Sequence, residues 1–397
     1  MSQFLLMHEN DVCGSMIIDD ESGYIEAYKD HHNGKSPFLG NANEELIKKW
    51  WESRAVPPSR KAIKDIIKQS DCFNTKSYLA KNLALSMTDT YWIRPVDSDV
   101  AYENVKLTKE QSYEDGIIPY HNASSYDPNA SLGGQMEKYW DLNSNTPVLV
   151  KESYKYYGQQ ALNESFATLL HKKQESNIPY VEYTVSKTKD NGMLCKCNSF
   201  TNSKTELISA YEIICSQKTD NENSLYENYI QICSKYGIYE DTIRNYMDYQ
   251  TLTDFIISNS DEHLMNFGVL RDVNTMELIA PAPIYDSGNS MFYNEGSAIY
   301  SRVDMLKRKI TSFYSSEEKM LKNVQNKHIV NLEALPNEDD LTTIYSKSSI
   351  PDEKIEAILK NYKTKIEMIH DFQHDIKISL YNEKKRQYVP TSQSLDF

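Results

Sequence analysis

The sequence predicts an α+β protein assembled from two or three packed units. Three observations lead there. The chain has 397 residues, more than the ~250–300 at which a single hydrophobic core stops growing. Its first two hundred residues mix two-residue alternation with helical stripes, and beyond Thr205 the helical period predominates. Neither an internal repeat nor a low-complexity tract interrupts the succession.

Taken in order, residues 4–19 alternate between apolar and polar about Asn10-Asp11, the pattern of an opening hairpin. From Asn43 the period becomes helical, with Leu46, Ile47, Trp50 and Trp51 on one stripe and Pro57-Pro58 as the stop. A second helix over 59–69 aligns Ile63, Ile66 and Ile67. Residues 112–131, rich in Asp, Asn, Ser, Tyr and Pro, read as an irregular connection. A strand follows at 147–151, a helix over 158–174 with Leu162, Phe166, Leu169 and Leu170 inward, and a strand at 180–185. Cys197 to Phe200 reads as the link onward. Helices are predicted at 207–215, 226–236 and 251–258, a hairpin at 267–280 turning at Asp272-Val273-Asn274, and a helical tail over 315–380. The last residues, 387–397, are expected to fray.

Composition narrows function. Lys plus Arg number 43 against 57 Asp plus Glu, a formal charge of −14, so the surface repels nucleic-acid phosphates and anionic lipid. That excludes a general DNA or RNA binder, but not a nucleotide held by metal ions and a few local cations. Six scattered cysteines form no disulfide framework, and Met1-Ser2-Gln3 begins no basic, then apolar leader. A reduced, cytoplasmic protein is expected, with no membrane contact, since no apolar run approaches the ~20 residues of a bilayer span.

The chemistry concentrates between Asn259 and Gly288. Asp261 and Asn266 stand five positions apart, and Asp286-Ser287-Gly288 follows a short hairpin, the order in which a proton-accepting Asp and two metal-holding residues occur in phosphoryl-transfer enzymes. Asp261 could orient an attacking hydroxyl and take its proton; Asn266 and Asp286 offer the hard oxygens that suit Mg²⁺. Singly, these residues read as a helix stop, a satisfied His263 and an ordinary Asp-Ser-Gly turn. The ordered set, with a hairpin between, favours the functional reading. Lys151 ends an apolar strand, where an amine needs an anionic partner or must snorkel to water; Glu164 on the next helix is the candidate partner. Ser131-Leu-Gly133-Gly134-Gln-Met-Glu-Lys138 carries two adjacent glycines that let backbone N–H groups approach phosphate oxygens. His370 and His374 sit four apart, but with Asp where a metalloprotease has its Glu and with no third ligand, they read as part of a packed helix. Cys195-Lys-Cys197 puts both thiols on one side of a strand with no second pair, and is no zinc site.

These residues resemble the HipA-like serine/threonine kinases. The family's D-x-H-x-x-N is similar to Asp261-Glu-His263-Leu-Met-Asn266, its Y-D segment to Tyr285-Asp286, and its phosphate loop S-x-x-G-x-Q-E-K to Ser131–Lys138. Lys151 and Asn163-Glu164 match its ATP lysine and helix Asn-Glu. The loop departs from the pattern, with glutamine one place early at Gln135 and Met136 in the usual position.

The resemblance implies a bilobal, protein-kinase-like fold: an N-terminal α+β accessory region over 1–127, a nucleotide-binding N-lobe over 128–200, and a mostly helical C-lobe over 201–397. It implies ATP and Mg²⁺ as cofactors and phosphate transfer to a protein Ser/Thr hydroxyl. Asp261, with His263 beside it, would be catalytic; Ser131, Gly133, Gly134, Lys151 and Glu164 would bind nucleotide; Asn266 and Asp286 would hold metal. It further implies autophosphorylation at Ser131 and, as in toxin–antitoxin members, a separate DNA-binding antitoxin-like partner. Two other readings stay open: a catalytically silent nucleotide-binding or interaction module, and a kinase for a lipid or small-molecule hydroxyl.

Overall fold

The computed structural model describes residues 1–113, 116–122, 125–144, 146–190, 192–219 and 221–388. It is a mixed α+β structure whose sheets are all antiparallel.

The opening alternation forms β1 (Ser2–His8) and β2 (Asp11–Ile18), paired Ser2 to Ile18. Two strands that local pattern did not announce complete a sheet: β3 (Ile25–Asp30) on β2 and β4 (Tyr91–Pro95) on β1, in the order β3-β2-β1-β4. Helix α1 (Glu44–Arg54) is capped by Asn43, whose Oδ1 accepts from Leu46 N, and buries Ile47, Trp50 and Trp51. The Arg54 guanidinium closes its end by forking onto Asp89 at 2.8 Å and donating to the Ala84 and Tyr91 carbonyls. Then come α2 (Lys61–Gln69), α3 (Thr75–Lys81) and α4 (Tyr102–Val105).

The stretch expected to be irregular from 112 begins instead inside a two-stranded hairpin, β5 (Thr108–Tyr113) with β6 (Gly116–Asn122). A second four-stranded sheet follows, ordered β7-β8-β10-β9, from β7 (Glu137–Asp141), β8 (Val148–Ser153), β9 (Thr184–Lys187) and β10 (Met193–Asn198). Helix α5 (Gln159–Gln174) lies against it with Ala161, Leu162, Phe166 and Leu170 buried. The strand expected at 180–185 starts at Thr184; Tyr180 instead bridges Ile284. Cys195 and Cys197 are inward on β10, which takes the first two residues of the expected link and ends at Asn198.

Strand β11 (Thr205–Ser209) occupies the front of a segment expected to be helical; helix α6 (Ala210–Cys215) takes only its end. With β12 (Gly268–Asp272) and β13 (Leu278–Pro281) it makes the sheet β11-β12-β13. Its cross-strand pair Glu206 and Arg271 is buried and joined at 2.8 Å. Glu206 also meets His8 Nε2 (3.2 Å) and Thr90, while Arg271 donates to Phe38 O and Tyr91 Oη. This satisfied ionic knot fastens the N-terminal sheet to the hairpin that carries the site.

The remaining helices are α7 (Leu225–Lys235), α8 (Glu240–Ile257), α9 (Arg302–Leu306), α10 (Glu317–Met320), α11 (Glu338–Tyr345), α12 (Asp352–Gln373) and α13 (Leu380–Tyr388). α8 starts well before the expected 251, because its buried polar residues have partners. Asp248 accepts from Tyr226 Oη and from the Gln325 and Asn326 amides at 2.7–3.1 Å. His370 lies in the last turn of α12 beside His374, the helix's C-cap, and no group of three or more His, Cys, Asp or Glu placed to hold a metal occurs among the described residues. The expected fraying from 387 meets a helix through Tyr388; residues 389–397 lie outside the described ones. Among the described residues no helix is long and apolar enough to cross a membrane.

Candidate active site

The last turns of α8 are buried on every side, from Tyr246 to Ile257, so the segment that follows starts from a fixed base. Ser258 ends the helix in the left-handed region at φ 50°. Asn259 then folds back: its N–H donates to Asp254 O (2.9 Å), and its Nδ2 to Asp254 Oδ1 (3.0 Å) and Glu262 Oε2 (2.9 Å). Gln250 Nε2 donates to the other Glu262 oxygen at 2.5 Å. Asn259 Oδ1 accepts from Asp261 N at 3.2 Å. The loop is thus pinned from below at Asn259 and Glu262 while Asp261 stands half-buried between them.

Asn266 completes the loop by donating its Nδ2 to Asp261 O at 2.7 Å, with its own N–H on His263 O. Since the amide nitrogen is used this way, the Oδ1 is the atom left to act as a ligand. The His263 ring accepts from Met265 N at 3.3 Å.

On the other side, β8 delivers Lys151 into the interior. Its Nζ lies 2.6 Å from Glu164 Oε1, 2.6 Å from Asp286 Oδ1 and 3.3 Å from Tyr183 Oη. Lys151 and Glu164 are buried, whereas the Asp286 side chain keeps 27% of its surface. Burial would lower the Lys151 ammonium, but Asp286 and Glu164 hold it well above its usual range. Burial likewise would raise Asp286, yet Lys151 and Lys138 keep its carboxyl below the ordinary value. For Glu164 burial wins and its carboxyl is raised, with Lys151 opposing. One ammonium between two carboxylates leaves a negative excess, which Lys138 offsets.

Helix α5 grips the turn after Asp286. Glu164 Oε2 accepts from Ser287 N (3.0 Å), Asn163 Nδ2 donates to Gly288 O (2.9 Å) and Ser290 O (2.7 Å), and Gln159 and Gln160 donate to Met291 O and Asn289 Oδ1. Asp286, Met291 and Phe292 all carry positive φ (63°, 52° and 55°), strain that these hydrogen bonds sustain. A side chain at Gly288 would stand 3.2 Å from Gln160 O, so glycine lets the turn lie on the helix. Asn289 Nδ2 donates to Asp261 Oδ2 at 2.7 Å and joins the two halves.

The glycine loop lies apart. Ser131 Oγ donates to Leu85 O at 2.7 Å. Gly134 has φ +85°, and the Lys138 amine sits 2.6 Å from where its Cβ would be. Burial lowers that amine to about 8 although Asp286 pulls it up.

The structure therefore brings Lys151, Glu164 and Asp286 into direct contact and places Asp261, His263 and Asn266 on one loop. Ser131, Gly133 and Gly134 stand on a separate bend. Sequence reading overlooked Lys138, Asn289, Gln160 and Glu262. Lys138 closes the Ser131–Lys138 segment already singled out, and a basic residue at the end of a glycine loop was a usable signal. Asn289 offered none, being hidden in an ordinary turn. The oxygens of Asn266 and Asp286 suit Mg²⁺, which takes few protein ligands and keeps waters or phosphates for the rest.

No protein-family model matches the chain, and no curated protein matches it. Solved structures similar to it include the following three. The Helicobacter pylori proinflammatory kinase CtkA is 17% identical, covering 64% of this chain and 92% of that one with a TM-score of 0.39. HipA of Shewanella oneidensis MR-1, solved with HipB and operator DNA, is 11% identical, covering 96% and 97%, with a TM-score of 0.44. A thermostable mutant of the aminoglycoside phosphotransferase APH(4)-Ia is 7% identical, covering 65% and 94%, with a TM-score of 0.21.

Proposed function

We propose that the chain is an ATP- and Mg²⁺-dependent serine/threonine protein kinase of the HipA-like type. The observation that carries this reading is the buried Lys151, 2.6 Å from both Glu164 and Asp286. An ion pair between a strand lysine and a helix glutamate, set against a metal-binding Asp, is the arrangement that positions ATP phosphates in kinases. Residues 1–127 would be the accessory region, 128–200 the nucleotide-binding lobe and 201–397 the catalytic lobe, with the chain working in the reducing cytoplasm.

In the reaction the acceptor oxygen bonds to the γ-phosphorus as the bond to the bridging β,γ-oxygen breaks. Asp261, oriented by Asn289, takes the acceptor's proton. Lys151 would leave Asp286 for the nucleotide's phosphates, keeping Glu164 as its buried anchor. Asp286 and Asn266 would hold Mg²⁺, which when bound neutralises charge on the phosphate oxygens. On the same reading a separate DNA-binding antitoxin-like protein is the partner to look for.

The test is phosphosite mapping by mass spectrometry after wild type and Asp261→Asn are incubated with ATP and Mg²⁺, alone and in cell extract. Ser or Thr phosphopeptides, Ser131 included, should appear only with wild type. Their absence from both samples overturns the proposal. Phosphate confined to lipid or small molecules redirects it to another acceptor class.

A further inference from the structure

The backbone carbonyls of the glycine loop are gathered by a side chain from outside the nucleotide-binding region. Arg60, just before α2, is 3% exposed. Its guanidinium donates to four loop carbonyls: Nε to Gly134 O (2.9 Å), Nη1 to Lys138 O (3.4 Å), and Nη2 to Leu132 O (2.6 Å) and Gly133 O. Its neighbours add two more ties, Ser59 Oγ to Gln135 Oε1 and Lys61 N to Glu137 Oε1, both at 2.5 Å.

In a trans peptide the carbonyl of one residue and the N–H of the next point in opposite directions, and no peptide here is cis. Three carbonyls drawn to Arg60, those of Leu132, Gly133 and Gly134, therefore turn the N–H groups of Gly133, Gly134 and Gln135 away from it. Among the described residues these three N–H groups have no hydrogen-bond partner. Successive N–H groups facing one way form a concavity for an anion. Lys138 puts an ammonium against the same bend, at the place of the missing Gly134 Cβ.

We infer that Arg60 is a positioning residue for phosphate binding: from the N-terminal region it fixes the peptide planes of 132–135 so that their N–H groups are preset for the phosphates of the nucleotide. This rests on the ATP-binding reading above and gives the N-terminal region a part in it. The guanidinium acts through the loop and does not itself touch phosphate. A lysine could not replace it, because a point ammonium cannot span carbonyls that a planar five-donor fork reaches together.

The test measures ATP·Mg²⁺ and adenosine affinity by calorimetry on the full chain for wild type, Arg60→Met and Arg60→Lys. Both variants should lose about tenfold in ATP affinity, the worth of one charged hydrogen bond, with adenosine affinity unchanged. Should Arg60→Met not fold, Arg60→Lys carries the comparison. Unaltered ATP affinity, or an equal loss for both ligands, overturns the inference while the kinase reading stands. A wild type that binds no ATP sinks both.

Discussion

Asn289 Nδ2 lies 2.7 Å from Asp261 Oδ2, so the turn that carries Asp286 also sets the orientation of the carboxylate on the loop after α8. The same residue's carbonyl accepts from Ser260 N (3.1 Å) and Ser260 Oγ (3.0 Å), and Gln160 of α5 holds its amide oxygen. Asn289 is thereby a strap between the two acidic halves of the site.

Removing the strap should slow the chemical step and spare nucleotide binding. Asn289→Ala frees Asp261 Oδ2 from a donor worth about 1.5–3 kcal/mol, so kcat for phosphotransfer should fall at least about tenfold while the KM for ATP holds. Steady-state assays with varied ATP read this directly. A rise in KM with kcat unchanged would place Asn289 in nucleotide binding instead.

The buried Lys151 and Glu164 pair should matter for stability as well as function. Lys151→Met leaves Glu164 and Asp286 facing each other without their cation, and breaking such a pair costs about 3–5 kcal/mol. Because Asp286 is partly exposed, water screens its share, and the lower end is expected. Glu164→Gln, which keeps shape and an acceptor, should cost clearly less. Urea unfolding that finds the two variants equally stable would show that the ammonium is not what holds the three groups together.

The acids beneath the Asp261–Asn266 loop predict a pH dependence. Burial raises the Asp254 carboxyl from 3.8 to about 7, and burial together with Asp254 pushes Glu262 well above its usual range. The folded protein then retains protons that the unfolded chain has already released, so stability is highest below the unfolded value of 3.8 and falls as pH rises toward about 7. This contribution opposes that of Asp286, whose lowered carboxyl stabilises above its unfolded value and loses that effect only as pH falls through its folded one. Asp254→Asn removes one of the two acids and should flatten the decline between pH 4 and 7. Urea midpoints at several pH values, plotted for both proteins, test it; parallel curves would mean Asp254 is ionised in the fold.

Legibility in the sequence followed the range of the interactions. α1, α5 and the β12–β13 hairpin were readable because their stripes, caps and turn residues lie within a few positions of one another. β4, β10 and β11 were not. β4 pairs with β1 across more than eighty residues, Pro95 against Phe4, and β11 pairs Ser209 with Gly268, so nothing local announces either. α8 was shortened because its buried Asp248 looks like surface until Tyr226 and the 325–326 amides are seen to satisfy it. In the site, Asp261, Asn266 and Asp286 stood out through spacing and Lys151 through its place at the end of an apolar strand. Arg60 could not, since its four partners lie more than seventy residues away and are backbone atoms that no sequence pattern marks.

Asp286→Ala and Asp261→Asn should separate the two acidic roles. Asp286 faces Lys151 and Lys138, the cations that would meet phosphate and that hold its carboxyl below the ordinary range against the effect of burial. On the proposed reading, losing it would remove a hard metal ligand and free Lys151, so ATP affinity should lose most of its dependence on Mg²⁺. Asp261 is fixed on the far side by Asn289 and the loop backbone, with Asn266 bonded to its carbonyl rather than its carboxylate. Asp261→Asn keeps shape and backbone contacts while removing the proposed proton acceptor, so ATP and Mg²⁺ should bind as in wild type and turnover should fall by about 10²–10⁴-fold, the usual reach of a general base. Calorimetric titration of ATP with and without Mg²⁺, beside single-turnover phosphotransfer, distinguishes them. Equal ATP affinities in the two variants would mean that metal binding and proton transfer are not divided between these residues.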